Sequence, residues 1–174
     1  DGVMAVGFTP IGLGMYFFGA DGKMLTGLQN LNGLFYYFAP EGPMYIGCLD
    51  FPEGKRFFAE AGDMLTGRSI VNNKYYYFDA NGVMQTGWQT IGNQTFLFAA
   101  DGSMAYGWFN DGMYSYYLSM VDGHRVTGWQ TIEGKTYLFD ELGHMMTGTV
   151  NLNGLSYLFA ADGSMYTGWF NDGV

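Results

Sequence analysis

Cysteine, histidine and basic residues are scarce in this chain, and each shortage excludes a class of function. Cys48 is the sole cysteine, so no internal disulfide can form, and a secreted chain built this way fits a bacterium better than an animal. Lys and Arg together number 7 against 16 acidic residues, for a net charge of −9. Binding nucleic acid requires cationic side chains to displace counterions from phosphates. The balance therefore excludes nucleic acid and bare polyanions such as undecorated teichoic acid, and leaves neutral sugars and cationic ligands open. No apolar run reaches the length of a membrane span, so no membrane insertion is expected. The only histidines, His124 and His144, lie one repeat apart, each directly after a glycine. That spacing belongs to the repeat and implies neither metal ligation nor catalysis. Most acids sit at turn positions, where they hydrogen-bond locally, and nothing suggests the cleft that paired catalytic carboxylates need. The expectation is a non-enzymatic chain without metal or cofactor.

Glycine and aromatic residues, by contrast, are abundant: 28 glycines, and aromatic side chains at 19% of positions. They are placed periodically. Thr86-Gly87-Trp88-Gln89-Thr90-Ile91 returns as Thr127-Gly128-Trp129-Gln130-Thr131-Ile132. Its glycine recurs at Gly7, Gly27, Gly47, Gly67, Gly87, Gly107, Gly128, Gly148 and Gly168, every 20 residues except for one step of 21. A fixed period of this size marks a stacked repeat, in which each unit contacts mainly its neighbours. Residues 1–174 are expected to form one array of about eight units, a fragment of a larger protein cut within repeats at both ends.

Each unit carries two turn signals. Asn32-Gly33, Glu53-Gly54, Asn72-Asn73, Gly92-Asn93, Glu133-Gly134 and Asn153-Gly154 separate two short apolar runs and read as type I′ hairpin turns. Asp21-Gly22, Glu41-Gly42, Asn81-Gly82, Asp101-Gly102, Asp122-Gly123 and Asp162-Gly163 follow the second run. The pattern predicts an all-β solenoid of about eight 20-residue hairpins, with about three hairpins per superhelical turn.

Columns of the repeat assign the core. Eleven positions after the repeat glycine stand Phe18, Phe38, Phe58, Phe78, Phe98, Leu118, Phe139 and Phe159. Two positions earlier, on the same strand face, stand Tyr16, Tyr36, Arg56, Tyr76, Phe96, Tyr116, Tyr137 and Tyr157. On the first strand Ile11, Leu31, Phe51, Val71, Ile91, Ile132 and Leu152 are placed to meet them. A methionine column (Met4, Met24, Met44, Met64, Met84, Met104, Met145, Met165) adapts to irregular aromatic packing. The column between the two aromatic ones, including Phe17, Tyr77, Leu97, Tyr117 and Leu138, alternates away from this core. Three residues depart from their columns: Arg56 replaces an aromatic, Arg125 a methionine, and Asp111 an apolar first-strand residue. The extra residue of the 21-residue unit falls near Ser119-Met120-Val121.

The candidate ligand-binding residues are Trp88, Trp108, Trp129 and Trp169, all directly after the repeat glycine, with Tyr77, Tyr117, Gln89 and Gln130. The tryptophan column holds Phe8, Leu28, Cys48, Arg68 and Thr149 elsewhere, a variability at odds with a purely structural column. Cys48, placed there, reads as a packed or half-buried thiol. Aromatic faces stack on sugar C–H surfaces and attract cations; the same rings could equally join one hairpin to the next. Trp88, flanked by Tyr77 and Tyr117, is the richest combination, and Gln89 and Gln130 would suit sugar hydroxyls.

The units TGWQTI at 127–132 with TYLFDELGHMMTG at 136–148, and TGLQNLNGLFYYFAPEGPMYIG at 26–47, resemble the cell-wall-binding or choline-binding repeats of Gram-positive surface proteins. They are similar also to the short repeats of clostridial toxin receptor-binding regions and to the glucan-binding repeats of glucosyltransferases. The resemblance implies a secreted or cell-surface module that binds a cell-wall or host-surface glycan and anchors a linked catalytic or effector domain. Choline-binding repeats carry a second tryptophan seven residues after the first, where this chain has Thr95, Ser115 and Thr136. That departure moves weight from choline-decorated teichoic acid to carbohydrate, with a purely structural spacer as the remaining alternative.

Overall fold

The computed structural model describes residues 3–167. The described residues form sixteen short strands and no helix. Each strand pairs antiparallel with its successor, giving eight separate two-stranded sheets. The first four hairpins are β1 (Gly7–Ile11) with β2 (Gly14–Phe18), β3 (Gly27–Leu31) with β4 (Leu34–Phe38), β5 (Gly47–Phe51) with β6 (Gly54–Phe58), and β7 (Gly67–Val71) with β8 (Lys74–Phe78). The last four are β9 (Gly87–Ile91) with β10 (Gln94–Phe98), β11 (Gly107–Asn110) with β12 (Ser115–Leu118), β13 (Gly128–Ile132) with β14 (Lys135–Phe139), and β15 (Gly148–Leu152) with β16 (Leu155–Phe159). The chain divides into two compact units, Asp1–Gln85 and Thr86–Val174, and four hairpins fall in each.

The register follows from the turns. Positive φ at both central residues, the I′ geometry that matches strand twist, occurs at Asn32-Gly33, Asn72-Asn73, Glu133-Gly134 and Asn153-Gly154. The expectation of I′ turns throughout is corrected elsewhere. Gly92 has φ 63° while Asn93 is not left-handed, and in the β5–β6 hairpin Phe51 pairs with Gly54, so the central residues are Pro52 and Glu53, neither of them left-handed. A glycine in the first central position suits the II′ turn instead. The β11–β12 connection is longer, because Asn110 pairs with Ser115 and the Asp111 carboxylate accepts the amides of Met113 and Tyr114 at 2.9 and 2.7 Å. The extra residue of the long unit sits where the sequence places it. Gly123 N–H reaches back to Ser119 O, one residue further than Gly102 N–H to Ala99 O in the unit before.

Successive hairpins are joined by one recurring backbone bond. In the first unit the amides of Met44, Met64 and Met84 donate to the carbonyls of Met15, Phe35 and Lys55 at 2.6, 2.7 and 2.8 Å. In the second, Arg125, Met145 and Met165 donate to Thr95, Ser115 and Thr136 at 2.7, 2.8 and 2.8 Å. This bond lays the methionine column against the preceding hairpin, and the side chains of Met44, Met64, Arg125 and Met145 meet the turn glycines Gly62, Gly82, Gly143 and Gly163 of the hairpins that follow. A Cβ on Gly82 would lie 2.5 Å from Met64 Sδ.

The phenylalanine column forms the core as its period requires: Phe38 and Phe58 are fully buried, and Phe78, Phe98, Phe139 and Phe159 are 2% exposed. In the second unit Val126, Ile132, Tyr137 and Phe139 make a buried cluster, with Tyr117 and Met145 packed on it. Three core assignments need correction. Ile11, Met4 and Met24 are exposed, since these early positions have fewer hairpins packed around them among the described residues. The column assigned away from the core is covered instead: Leu97 and Leu138 are buried, and Phe17, Tyr77 and Tyr117 half-buried. Stacking hairpins covers both strand faces, whereas an isolated sheet would leave one to water. Cys48, finally, is exposed; its side chain is too short to reach the next hairpin as an aromatic ring does.

Candidate functional site

The tryptophan column lies on the first strand of each hairpin, opposite the middle residue of the aromatic triplet. Trp88 pairs with Leu97, Trp108 with Tyr117 and Trp129 with Leu138. Each ring leans over the next hairpin. Trp108 meets Tyr137 edge-on at 5.0 Å and Phe139 at 6.0 Å; Trp129 meets Tyr157 at 4.9 Å and Phe159 at 5.9 Å. Phe8 does the same in the first unit, 5.2 Å from Tyr36. These are favourable edge-to-face geometries, so the rings do join hairpins. They are not thereby spent: Trp108 stays 45% and Trp129 41% exposed. One side of each ring holds the stack and the other faces solvent, above a floor of two aromatic side chains.

Beside Trp129 this arrangement opens into a cavity of about 480 Å³ between the β13–β14 and β15–β16 hairpins. Trp129, Leu138, Met146 and Val150 give it an apolar wall, and Asp140 and Glu141 bring two carboxylates to it. Asp140 is committed to its own turn, accepting the amides of Leu142 and His144 at 2.8 Å and the His144 ring at 2.8 Å. Burial works against its ionisation, but these hydrogen bonds outweigh burial and hold its carboxyl below the usual range. Glu141 is exposed and points no hydrogen bond elsewhere among the described residues.

Trp88 is placed differently from the sequence expectation. Its neighbours are Tyr116 at 5.1 Å and Phe109 at 5.8 Å, while Tyr117 lies against Trp108 in its own hairpin, at 5.1 Å. Alternation along β12 explains the exchange, since Tyr116 and Tyr117 face opposite ways. The Arg125 guanidinium stands 5.5 Å from the Trp88 ring centre. The Tyr116 hydroxyl donates to Asp111 at 2.9 Å; burial first, and this acceptor second, push its ionisation up. The amides of Tyr114 and Met113 in turn hold the Asp111 carboxyl low.

The other candidates are less available than their positions suggest. Gln89 and Gln130 each donate one side-chain N–H to a backbone carbonyl three residues back, at 2.8 and 2.9 Å, which fixes the amide and leaves its oxygen and one N–H for a ligand. Tyr77 is a half-buried residue of the first unit, paired with Arg68 across its hairpin. Trp169 lies outside the described residues. Where choline-binding repeats have a second tryptophan, Thr95 faces Thr90, hydroxyl to hydroxyl at 3.4 Å, and Ser115 accepts from Asn110 at 2.9 Å.

The first unit holds a feature that the repeat columns did not single out as a site. A cavity of about 610 Å³ is lined by Leu28, Phe35, Met64, Arg56 and Glu53 among others. Arg56 stands where other units have an aromatic ring. Its guanidinium lies 4.3 Å over Phe51, donates to Asn81 O at 3.1 Å and approaches Glu53 at 3.6 Å. The break in the aromatic column was the visible signal. Among the described residues no three His, Cys, Asp or Glu side chains are grouped as metal ligands.

Residues 85–125 and 126–154 match the choline-binding repeat family, and residues 70–84 match the putative cell wall binding repeat family. Among solved structures, choline binding protein F from Streptococcus pneumoniae, determined with a tetrasaccharide-pentapeptide peptidoglycan analogue, is 28% identical with a TM-score of 0.85 over 94% of this chain. CbpJ from the same species is 28% identical with a TM-score of 0.87 over 93%. This chain spans 58% of the length of those two. The modular autolysin LytC, also from S. pneumoniae, shares the fold at 21% identity and a TM-score of 0.59, over 89% of this chain and 37% of its own. No curated protein sequence matches this chain.

Proposed function

We propose that this chain, built of repeats of the choline-binding and cell-wall-binding superfamily, is a non-catalytic module that holds a protein on Gram-positive cell-wall carbohydrate. The carrying observation is the pair Trp108 and Trp129, each about two-fifths exposed over an aromatic floor supplied by the next hairpin. A half-exposed indole suits the C–H surface of a sugar ring. The cavity beside Trp129 gives such a ring depth, and Glu141 gives it an acceptor for hydroxyls. The peptidoglycan analogue in whose presence choline binding protein F was determined has a tetrasaccharide of this chemical class. Sites of this kind are individually weak, and their repetition along one chain supplies retention through avidity. The module would work outside the cell, with any catalysis left to a linked domain.

A second reading is favoured by one feature. Glu141 beside Trp129, in a chain of net charge −9, would also suit an ammonium group such as choline on teichoic acid. Co-sedimentation with purified Gram-positive cell walls tests the common core of both. The native chain is expected in the pellet, and the Trp108→Ala, Trp129→Ala double variant in the supernatant while still folded. A native chain left in solution would overturn both readings in favour of a spacer.

A further inference from the structure

The grooves at Trp88, Trp108 and Trp129 share two features. In each, a tryptophan from one hairpin faces the second-strand aromatic of the next: Tyr116, Tyr137 and Tyr157. In each, a residue of the methionine column is fixed at the same place by its backbone bond to the preceding hairpin, from Arg125 to Thr95, from Met145 to Ser115 and from Met165 to Thr136. Arg125 therefore occupies the methionine position of the Trp88 groove.

We propose that Arg125 is a resident cation that closes the Trp88 groove to the ligands the Trp108 and Trp129 grooves admit. The inference rests on the functional reading above. Three observations carry it. The guanidinium lies 5.5 Å from the Trp88 ring centre, in the position a bound cation takes over an aromatic face. Its stem is pinned: Cγ and Cδ pack so closely on Gly143 that a Cβ there would sit 2.8 and 2.6 Å from them. Its Nε is buried and makes no hydrogen bond, while the Trp88 ring lies within cation–π distance of the guanidinium. Asp111, the other departure in this unit, fits the same picture. Its carboxylate accepts from the Tyr116 hydroxyl at 2.9 Å, setting a negative charge at the end of the ring that meets Trp88. Trp88 is accordingly less exposed than Trp108 or Trp129. A second cation entering the groove would meet like charge at close range, and a sugar ring would have to displace the guanidinium.

The four tryptophans make a site-resolved test practical. The full chain, labelled with ¹⁵N, is titrated separately with choline chloride and with a soluble peptidoglycan tetrasaccharide, following the indole N–H resonances. For whichever probe moves Trp108 and Trp129, Trp88 is expected to stay in place, at least tenfold weaker in apparent affinity. In Arg125→Met, which restores the column residue, Trp88 is expected to respond with the others; Arg125→Ala, which empties the groove, is expected to do the same. A Trp88 response equal to that of Trp129 in the native chain would overturn the proposal. So would a Trp88 that stays silent in both variants while Trp108 and Trp129 respond. Silence of Trp108 and Trp129 toward both probes would instead bring down the functional reading and this inference with it.

Discussion

Two glycines of the first unit are required for different reasons, and replacing each by alanine separates those reasons. Gly67 has φ 66° with nothing within 4 Å of an added methyl, whereas Gly82 has φ 75° and would place that methyl 2.5 Å from Met64 Sδ and Cε and 2.9 Å from Cγ. Left-handed backbone costs a residue with a Cβ about 1–2 kcal/mol, and Gly67→Ala should cost that alone. Met64 is 8% exposed and has little room to retreat, so Gly82→Ala adds an overpacking cost of about 1–3 kcal/mol. The expected totals are about 1–2 kcal/mol at Gly67 and about 2–5 kcal/mol at Gly82. Urea unfolding followed by circular dichroism gives both values. A double-mutant cycle with Met64→Ala should show coupling of at least about 1 kcal/mol at Gly82 and none at Gly67. Equal costs, or additivity at Gly82, would refute the claim that methionine-on-glycine contacts register one hairpin on the next.

Phe98→Ala, which removes a ring that is 2% exposed, should destabilise by about 3–5 kcal/mol in the same assay. Trp129→Ala should cost less, about 1–3 kcal/mol, because only part of its ring is packed, and should lower cell-wall retention measurably. A hydrogen bond from Ser119 first, and the His124 ring second, hold the Asp122 carboxyl down to about 2 from 3.8. A carboxyl depressed on folding stabilises above its unfolded value, and that contribution fades as pH falls from about 4 toward 2. Asp122→Asn should therefore flatten the acid side of the stability curve measured by urea unfolding across that range.

The sequence makes this fold legible because the repeat samples each structural position eight times. A single Phe98 proves little, but a ring at the same place in almost every unit identifies the core, and the glycine period fixes where strands begin. What escaped is what the repeat does not average. The burial of Leu97 and Leu138 comes from the neighbouring hairpin covering the second face, a tertiary effect invisible to alternation within one strand. Trp88 meets Tyr116, not Tyr117, because the stacking places it over the inward face of the following strand. Arg125 stood out in its column, yet its role depends on a backbone bond to Thr95 that no periodicity displays. The amides of Gln89 and Gln130 show the same limit: residue type suggests a sugar contact, and local geometry gives one of the two N–H donors to the backbone.

The central claim is that half-exposed tryptophan grooves recognise cell-wall carbohydrate. Competitive elution of the native chain from immobilised Gram-positive cell walls tests it most directly. Release by soluble peptidoglycan glycan and retention in millimolar choline are the predicted outcomes. Release by choline, with soluble glycan inert, would contradict the claim and make the grooves ammonium sites despite Thr95, Ser115 and Thr136.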